Sequence, residues 1–124
     1  MGSYLRKLRK LLRVEPIRFH RYIRSELPKN HGGVYRIFEK RNKNKSLYVG
    51  KTRGNNLSQR IGASWSGYHR LRIKLLKKYN GDTKMVRNFM ENKCRFQFIV
   101  IDSANKRTLF EHFAIAILRP VYND

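Results

Sequence analysis

Leucines at helical spacing open the chain. Leu5, Leu8 and Leu12 alternate with Arg6, Lys7, Arg9, Lys10 and Arg13, which predicts a basic amphipathic helix. Pro16 suits the first turn of a second helix, continued by Ile17, Phe19, Tyr22, Ile23 and Leu27 until Pro28. The pattern then turns β-branched and aromatic. Residues 33–38 and 46–50 read as strands, and the polar stretch 40–45, with Asn42 and Asn44, as the turn of a hairpin. Asn55 or Asn56 is the expected cap of a short helix through Leu57, Arg60 and Ile61. Residues 68–79 predict a strongly basic helix with Leu71, Leu75 and Leu76 apolar, stopped by Asn80-Gly81-Asp82. Residues 94–101 give a third strand and 108–118 a final helix, with Pro120 just past its end. This order predicts an α+β fold, a small three-stranded antiparallel sheet flanked by helices. Residues 1–30 are expected to be a basic helical extension, and 31–124 the domain itself.

Charge narrows the partners. The 124 residues carry 29 Lys and Arg against 8 Asp and Glu, a formal net charge of +21. The excess is spread over the chain, with a net +7 in residues 1–30 and +14 in the rest. Such a balance excludes an acidic scaffold and calls for a polyanion: DNA, RNA or an anionic membrane. A hydrophobic content of 40%, with seven Tyr and seven Phe, excludes a merely disordered basic tail. The longest apolar run, 113–118, is far too short to span a bilayer. The single cysteine, Cys94, excludes a disulfide framework and a cysteine zinc cluster within the chain. His20, His31, His69 and His112 are scattered without zinc-site spacing and read as surface or packing residues.

Chemistry-bearing residues gather in three places. With a turn over 40–43, Glu39 faces Asn44, Tyr35 faces Tyr48 and Gly33 faces Gly50. The two phenols then share one face of the hairpin, either as a plain cross-strand aromatic pair or as part of a site. In the final helix only Glu111 and His112 are polar between Leu109 and Leu118, so Glu111 is a carboxylate on an otherwise apolar element. Two readings of it stand: a capping box with Thr108, or a metal ligand or general base. Lys51 and Thr52 follow Gly50 in a loop that either joins strand to helix or offers backbone N–H groups and an ammonium to a phosphate. Arg53, and Arg70, Arg72 and Lys74 on the basic helix, are further candidates for nucleic-acid contacts. Trp65, Tyr68 and His69 precede that helix as packing or base-stacking residues.

Together these residues resemble the GIY-YIG nuclease family. Gly33-Val34-Tyr35 matches the first signature and Tyr48-Val49-Gly50 the second, with twelve residues between the tyrosines. Lys51, Thr52, Asn56-Leu57 and Arg60 follow in the family's order. Glu111 then stands on a helix, and Pro120-Val121-Tyr122-Asn123 resembles the family's closing asparagine motif. The loop from Gly50 to Arg60 is about two residues longer than the shortest family versions, and Ser64 stands where some members carry His or Tyr.

The resemblance implies a metal-dependent DNA endonuclease. Its implied catalytic residues are Tyr35, Tyr48, Arg60, Glu111 and Asn123, with Glu111 holding Mg²⁺ or Mn²⁺. A tyrosine prepares the attacking water, Arg60 clamps the phosphate, and Asn123 fixes the geometry. A binding protein that keeps the fold without catalysis is the alternative, and membrane-surface binding through residues 4–13 is a third reading. The implied partner is DNA, with monomer and homodimer both open. The expected location is the cytoplasm, on the nucleoid, although the Arg-rich start also fits an organellar presequence. Residues 1–28 are expected to be an accessory DNA-binding or docking element.

Overall fold

The computed structural model describes residues 2–20, 23–59, 61 and 70–123. Its sheet has four strands: β1 (Ile17–Arg18), β2 (Gly33–Glu39), β3 (Asn42–Lys51) and β4 (Cys94–Val100), all antiparallel in the order β1-β4-β2-β3. Around them lie α1 (Gly2–Arg13), α2 (Arg70–Lys78), α3 (Thr83–Lys93) and α4 (Ala104–Leu118). The expected α+β class holds, with one strand more than the sequence pattern predicts. The additional strand comes from the segment expected to be a second helix. Ile17 and Arg18 pair with Phe96 and Arg95, and only a short 3₁₀ turn, Ile23–Glu26, follows.

Alternation along β2 builds two layers. Tyr35 and Ile37 face a core made with Tyr48 and Phe96, covered by Leu71 and Leu75 of α2 and by Val86 and Met90 of α3. Val34, Val49 and Ile99 face the opposite core, covered by Leu8 and Leu11 of α1 and by Phe110 and Ala114 of α4. The described residues before Pro28 pack into both layers, Leu8 and Leu11 in the second and Phe19, Ile23 and Leu27 in the first. Cys94 is buried, and desolvation pushes its thiol up to about 12. No helix among the described residues is long and apolar enough to cross a membrane.

α3 is an element the sequence pattern left unassigned. Asp82 caps it by accepting from the Met85 N–H at 3.1 Å, while Val86 and Met90 lie one turn apart on its buried face.

The hairpin register differs from the expected one. Glu39 pairs with Asn42 across a two-residue turn, Ile37 with Tyr48 and Tyr35 with Gly50, so the two tyrosines sit diagonally; Gly33 pairs with Val100 of β4. Arg36, which is buried, explains the irregular turn side of β3. Its Nε donates to Ser46 Oγ at 2.7 Å, its Nη1 to Gln97 Oε1 at 2.8 Å and its Nη2 to the Lys43 carbonyl. Residues 43–45 must bulge for that carbonyl to turn inward. Desolvation lowers the Arg36 pKa to about 10. Gln97 Nε2 in turn donates to the Leu12 and Val14 carbonyls at 2.9 and 3.0 Å, anchoring the end of α1.

Candidate active site

Tyr35 is fully buried at the centre of the sheet, and its ring lies 6.3 Å from that of Tyr48 at 34°. Gly50 makes room for both. A Cβ there would stand 2.5 Å from the Tyr35 hydroxyl oxygen and 2.8 Å from Tyr48 Cε2. The second glycine signature is thus a steric requirement, since any side chain at position 50 meets the phenols.

Beyond Gly50, β3 ends at Lys51, which faces α4. Its Nζ donates to Thr108 Oγ1 at 2.8 Å, and Thr108 Oγ1 donates back to the Ala104 carbonyl at 3.1 Å. α4 begins one turn earlier than the apolar pattern suggests, because Ser103 caps it by accepting from the Lys106 N–H at 3.3 Å. Thr108 therefore lies inside the helix, and the capping-box reading of Thr108 with Glu111 is excluded. Glu111 is half-buried, and that burial raises its pKa. The charges of Lys51, His112 and Arg70 and a hydrogen bond from the Lys51 backbone N–H work against this rise.

The loop after Lys51 is fixed from inside. Thr52 is buried; its Oγ1 accepts from the Gly33 N–H at 3.1 Å and donates to the Gly54 carbonyl at 2.6 Å. Its hydroxyl is committed to the scaffold, which corrects its expected place at a nucleic-acid surface. Arg107, also buried, reaches the same loop. Its Nη1 donates to the Ile101 carbonyl at 3.0 Å and to Asn55 Oδ1 at 3.4 Å, and its Nη2 to the Arg53 carbonyl at 3.4 Å. A Cβ at Gly32 would lie 1.7 Å from that Nη1, so the guanidinium passes through space that only glycine leaves open. Arg107 stands before the expected start of the final helix, where sequence reasoning did not look. Its spacing of three, four and seven residues from Phe110, Glu111 and Ala114 was the available signal. Asn56 Oδ1 is buried without a partner, so it does not cap the turn that begins at Leu57.

Asn123 closes the exposed edge of β3. Its Nδ2 donates to the Val49 carbonyl at 2.7 Å and its Oδ1 accepts from the Val49 N–H at 2.8 Å, between Tyr48 and Gly50. The Val121 and Tyr122 N–H groups continue this edge onto the Ser46 and Leu47 carbonyls. Lys74 Nζ donates to the Tyr122 carbonyl at 3.0 Å, Arg72 is partly buried, and Arg53 and Arg70 are exposed. Arg60, Ser64, Trp65, Tyr68 and His69 lie outside the described residues.

The structure is similar to the GIY-YIG N-terminal endonuclease domain of UvrC from Thermotoga maritima, bound to its catalytic divalent cation, magnesium. The TM-score is 0.51 at 19% identity, covering 95% of this chain and 97% of that one. The chain has the GIY-YIG fold. A tyrosine-to-phenylalanine variant of the same domain, bound to its catalytic divalent cation, matches with a TM-score of 0.51 at 19% identity, over 95% and 96% of the two chains. No family model and no curated protein sequence matches. Within this GIY-YIG fold the first signature lies on β2, the second on β3 and Glu111 on α4. No group of three or more His, Cys, Asp or Glu able to hold a metal occurs among the described residues. The donor set at Glu111 is one half-buried carboxylate, which suits Mg²⁺, an ion that keeps several waters and binds through one or two carboxylates plus substrate phosphates.

Proposed function

We propose that this protein is a metal-dependent endonuclease that hydrolyses phosphodiester bonds in DNA. The observation that carries the reading is Glu111. A carboxylate on an interior turn of α4, half-buried and excluded as a cap, faces the end of the strand whose glycine accommodates two tyrosines.

Glu111 would hold Mg²⁺ or Mn²⁺. When bound, the ion supplies Lewis acidity at the scissile phosphate. Tyr35, with Tyr48 beside it, would orient the attacking water and, once its own phenolic proton has been lost to solvent, receive the water's proton, the positive charge of Lys51 and Arg60 favouring the phenolate. The water oxygen bonds to phosphorus as one ester P–O bond breaks. Lys51 would stabilise the added negative charge with its ammonium, and Arg60 and the exposed Arg53 and Arg70 would hold the strand through its phosphates. Arg72 and Lys74 extend that basic surface along α2. Asn123 acts as a positioning residue, since it grips the backbone between Tyr48 and Gly50. One site per chain cuts one strand per encounter. The test is incubation of the pure protein with supercoiled, linear and branched DNA, with Mg²⁺ or with a chelator. Strand cleavage that requires the metal supports the reading, and intact DNA under every condition rejects it.

A further inference from the structure

Two consecutive peptide units after β3 have both carbonyls turned into the protein. The Arg53 carbonyl accepts from the buried Arg107 at 3.4 Å, and the Gly54 carbonyl accepts from the buried Thr52 hydroxyl at 2.6 Å. The described peptides are trans, and in a planar trans peptide the N–H points opposite to the C=O. The N–H groups of Gly54 and Asn55 therefore point outward. Neither has an acceptor among the described residues, and both residues are exposed. Nothing lies within 4 Å of where a Gly54 side chain would stand.

Backbone N–H groups turned outward from a bend are donors that an anion can take up together. The local charge agrees with that use. Lys51 and Arg53 flank the two peptides, and residues 50–59 contain no acid. The carboxylate of Asp102, which feels the charge of Arg107, is already engaged by the Gly32 N–H at 3.0 Å and by His31 at 3.0 Å. Arg107 itself is informative. A buried cation without an ion-pair partner among the described residues is a costly way to fill space, and an apolar side chain of similar size would serve packing alone. What the guanidinium adds is a fork that holds the Ile101 and Arg53 carbonyls and the Asn55 amide together.

We infer that the outward N–H groups of Gly54 and Asn55 bind a phosphate of a nucleic-acid strand, with Arg107 and Thr52 as the positioning residues that hold those peptides in place. The strand as ligand rests on the nuclease reading; the anion site rests on the loop alone. Because the loop starts beside Glu111, the phosphate bound here would neighbour the one that is cut.

The experiment is a titration of ¹⁵N-labelled protein without metal, following the Gly54 and Asn55 amide signals. One arm adds inorganic phosphate and the other a short oligothymidylate. Both amides are expected to shift saturably in both arms, at lower concentration with the oligonucleotide, whose other phosphates reach Lys51 and Arg53. Thr52→Ser keeps the inward hydroxyl and should retain this response. Thr52→Val and Arg107→Lys should weaken it about tenfold or more, while contacts elsewhere on the basic surface persist. Unmoved Gly54 and Asn55 signals at saturating oligonucleotide in the wild type overturn the inference, whatever the variants do. A response to phosphate but not to the oligonucleotide overturns the strand as ligand. Metal-dependent cleavage with unmoved amides leaves the nuclease reading standing and removes the site; shifted amides without cleavage do the reverse.

Discussion

Gly50 shows how one missing methyl group governs a site. A Cβ there would come within 2.6 Å of Tyr35 Cζ, so Gly50→Ala must push the ring out of a fully packed core. We expect a loss of about 1–3 kcal/mol in stability from overpacking. A displacement near 1 Å should also lower cleavage by about 100-fold. Denaturant melts and initial nicking rates check both. Glu111 carries a second prediction, for the metal-free protein. Burial raises its pKa, so the native state keeps this proton to higher pH than the unfolded chain does. Its contribution to stability therefore falls as pH rises from the ordinary carboxylate range through the raised value. Glu111→Gln removes that slope. Melting curves should show the Gln variant gaining on the wild type as pH rises toward neutrality, and a constant difference would contradict the assignment. At this scale the sequence was legible where a polar residue interrupts an apolar pattern: Glu111, among the alanines and isoleucines of α4, is half-buried as that pattern implies. It was illegible where an ordinary residue is made special by burial. Among so many arginines, nothing in composition separates Arg36 and Arg107 from the solvated majority, and Thr52 looks equally suited to a surface or a scaffold.

At the scale of elements, the hairpin illustrates a limit on counting. The strands were readable from their β-branched and aromatic residues, but their register depends on a bulge that Arg36 stabilises from the interior by taking the Lys43 carbonyl. A uniform count across 40–45 places the tyrosines face to face; the bulge makes them diagonal. α3 was overlooked because its buried positions, Val86 and Met90, are few and embedded in polar residues. α1 was legible as an amphipathic helix, yet its destination was not, because a basic outer face suits DNA, a membrane surface and a docked helix equally. Leu8 and Leu11 show that its apolar face is docked, since both are buried in one cluster with Val34, Val49 and Phe110. Leu11→Ala should cost about 2–5 kcal/mol. A chain starting after Arg13 should lose its cooperative melting transition. A sharp transition in the truncated protein, seen by circular dichroism, would show instead that α1 is dispensable.

At the scale of the molecule, a four-stranded sheet with α1 and α4 on one face and α2 and α3 on the other brings distant segments to one strand end. β2 supplies Tyr35, β3 supplies Tyr48 and Lys51, α4 supplies Glu111, and the C-terminal segment ties down Val49. A net charge of +21 on this frame favours phosphate contacts at many points, and counterion release makes such association strongly salt-dependent. Charge alone fits a binder as well as an enzyme. The two are separated by nicking of supercoiled DNA with Mg²⁺ by the wild type and by Glu111→Gln, on preparations whose melting temperature and metal-free DNA affinity are also measured. Wild-type nicking is expected to be lost in the variant. The variant should remain folded, with equal or higher metal-free affinity, because a negative charge facing the phosphate has been removed. Nicking by Glu111→Gln at the wild-type rate would contradict the catalytic assignment.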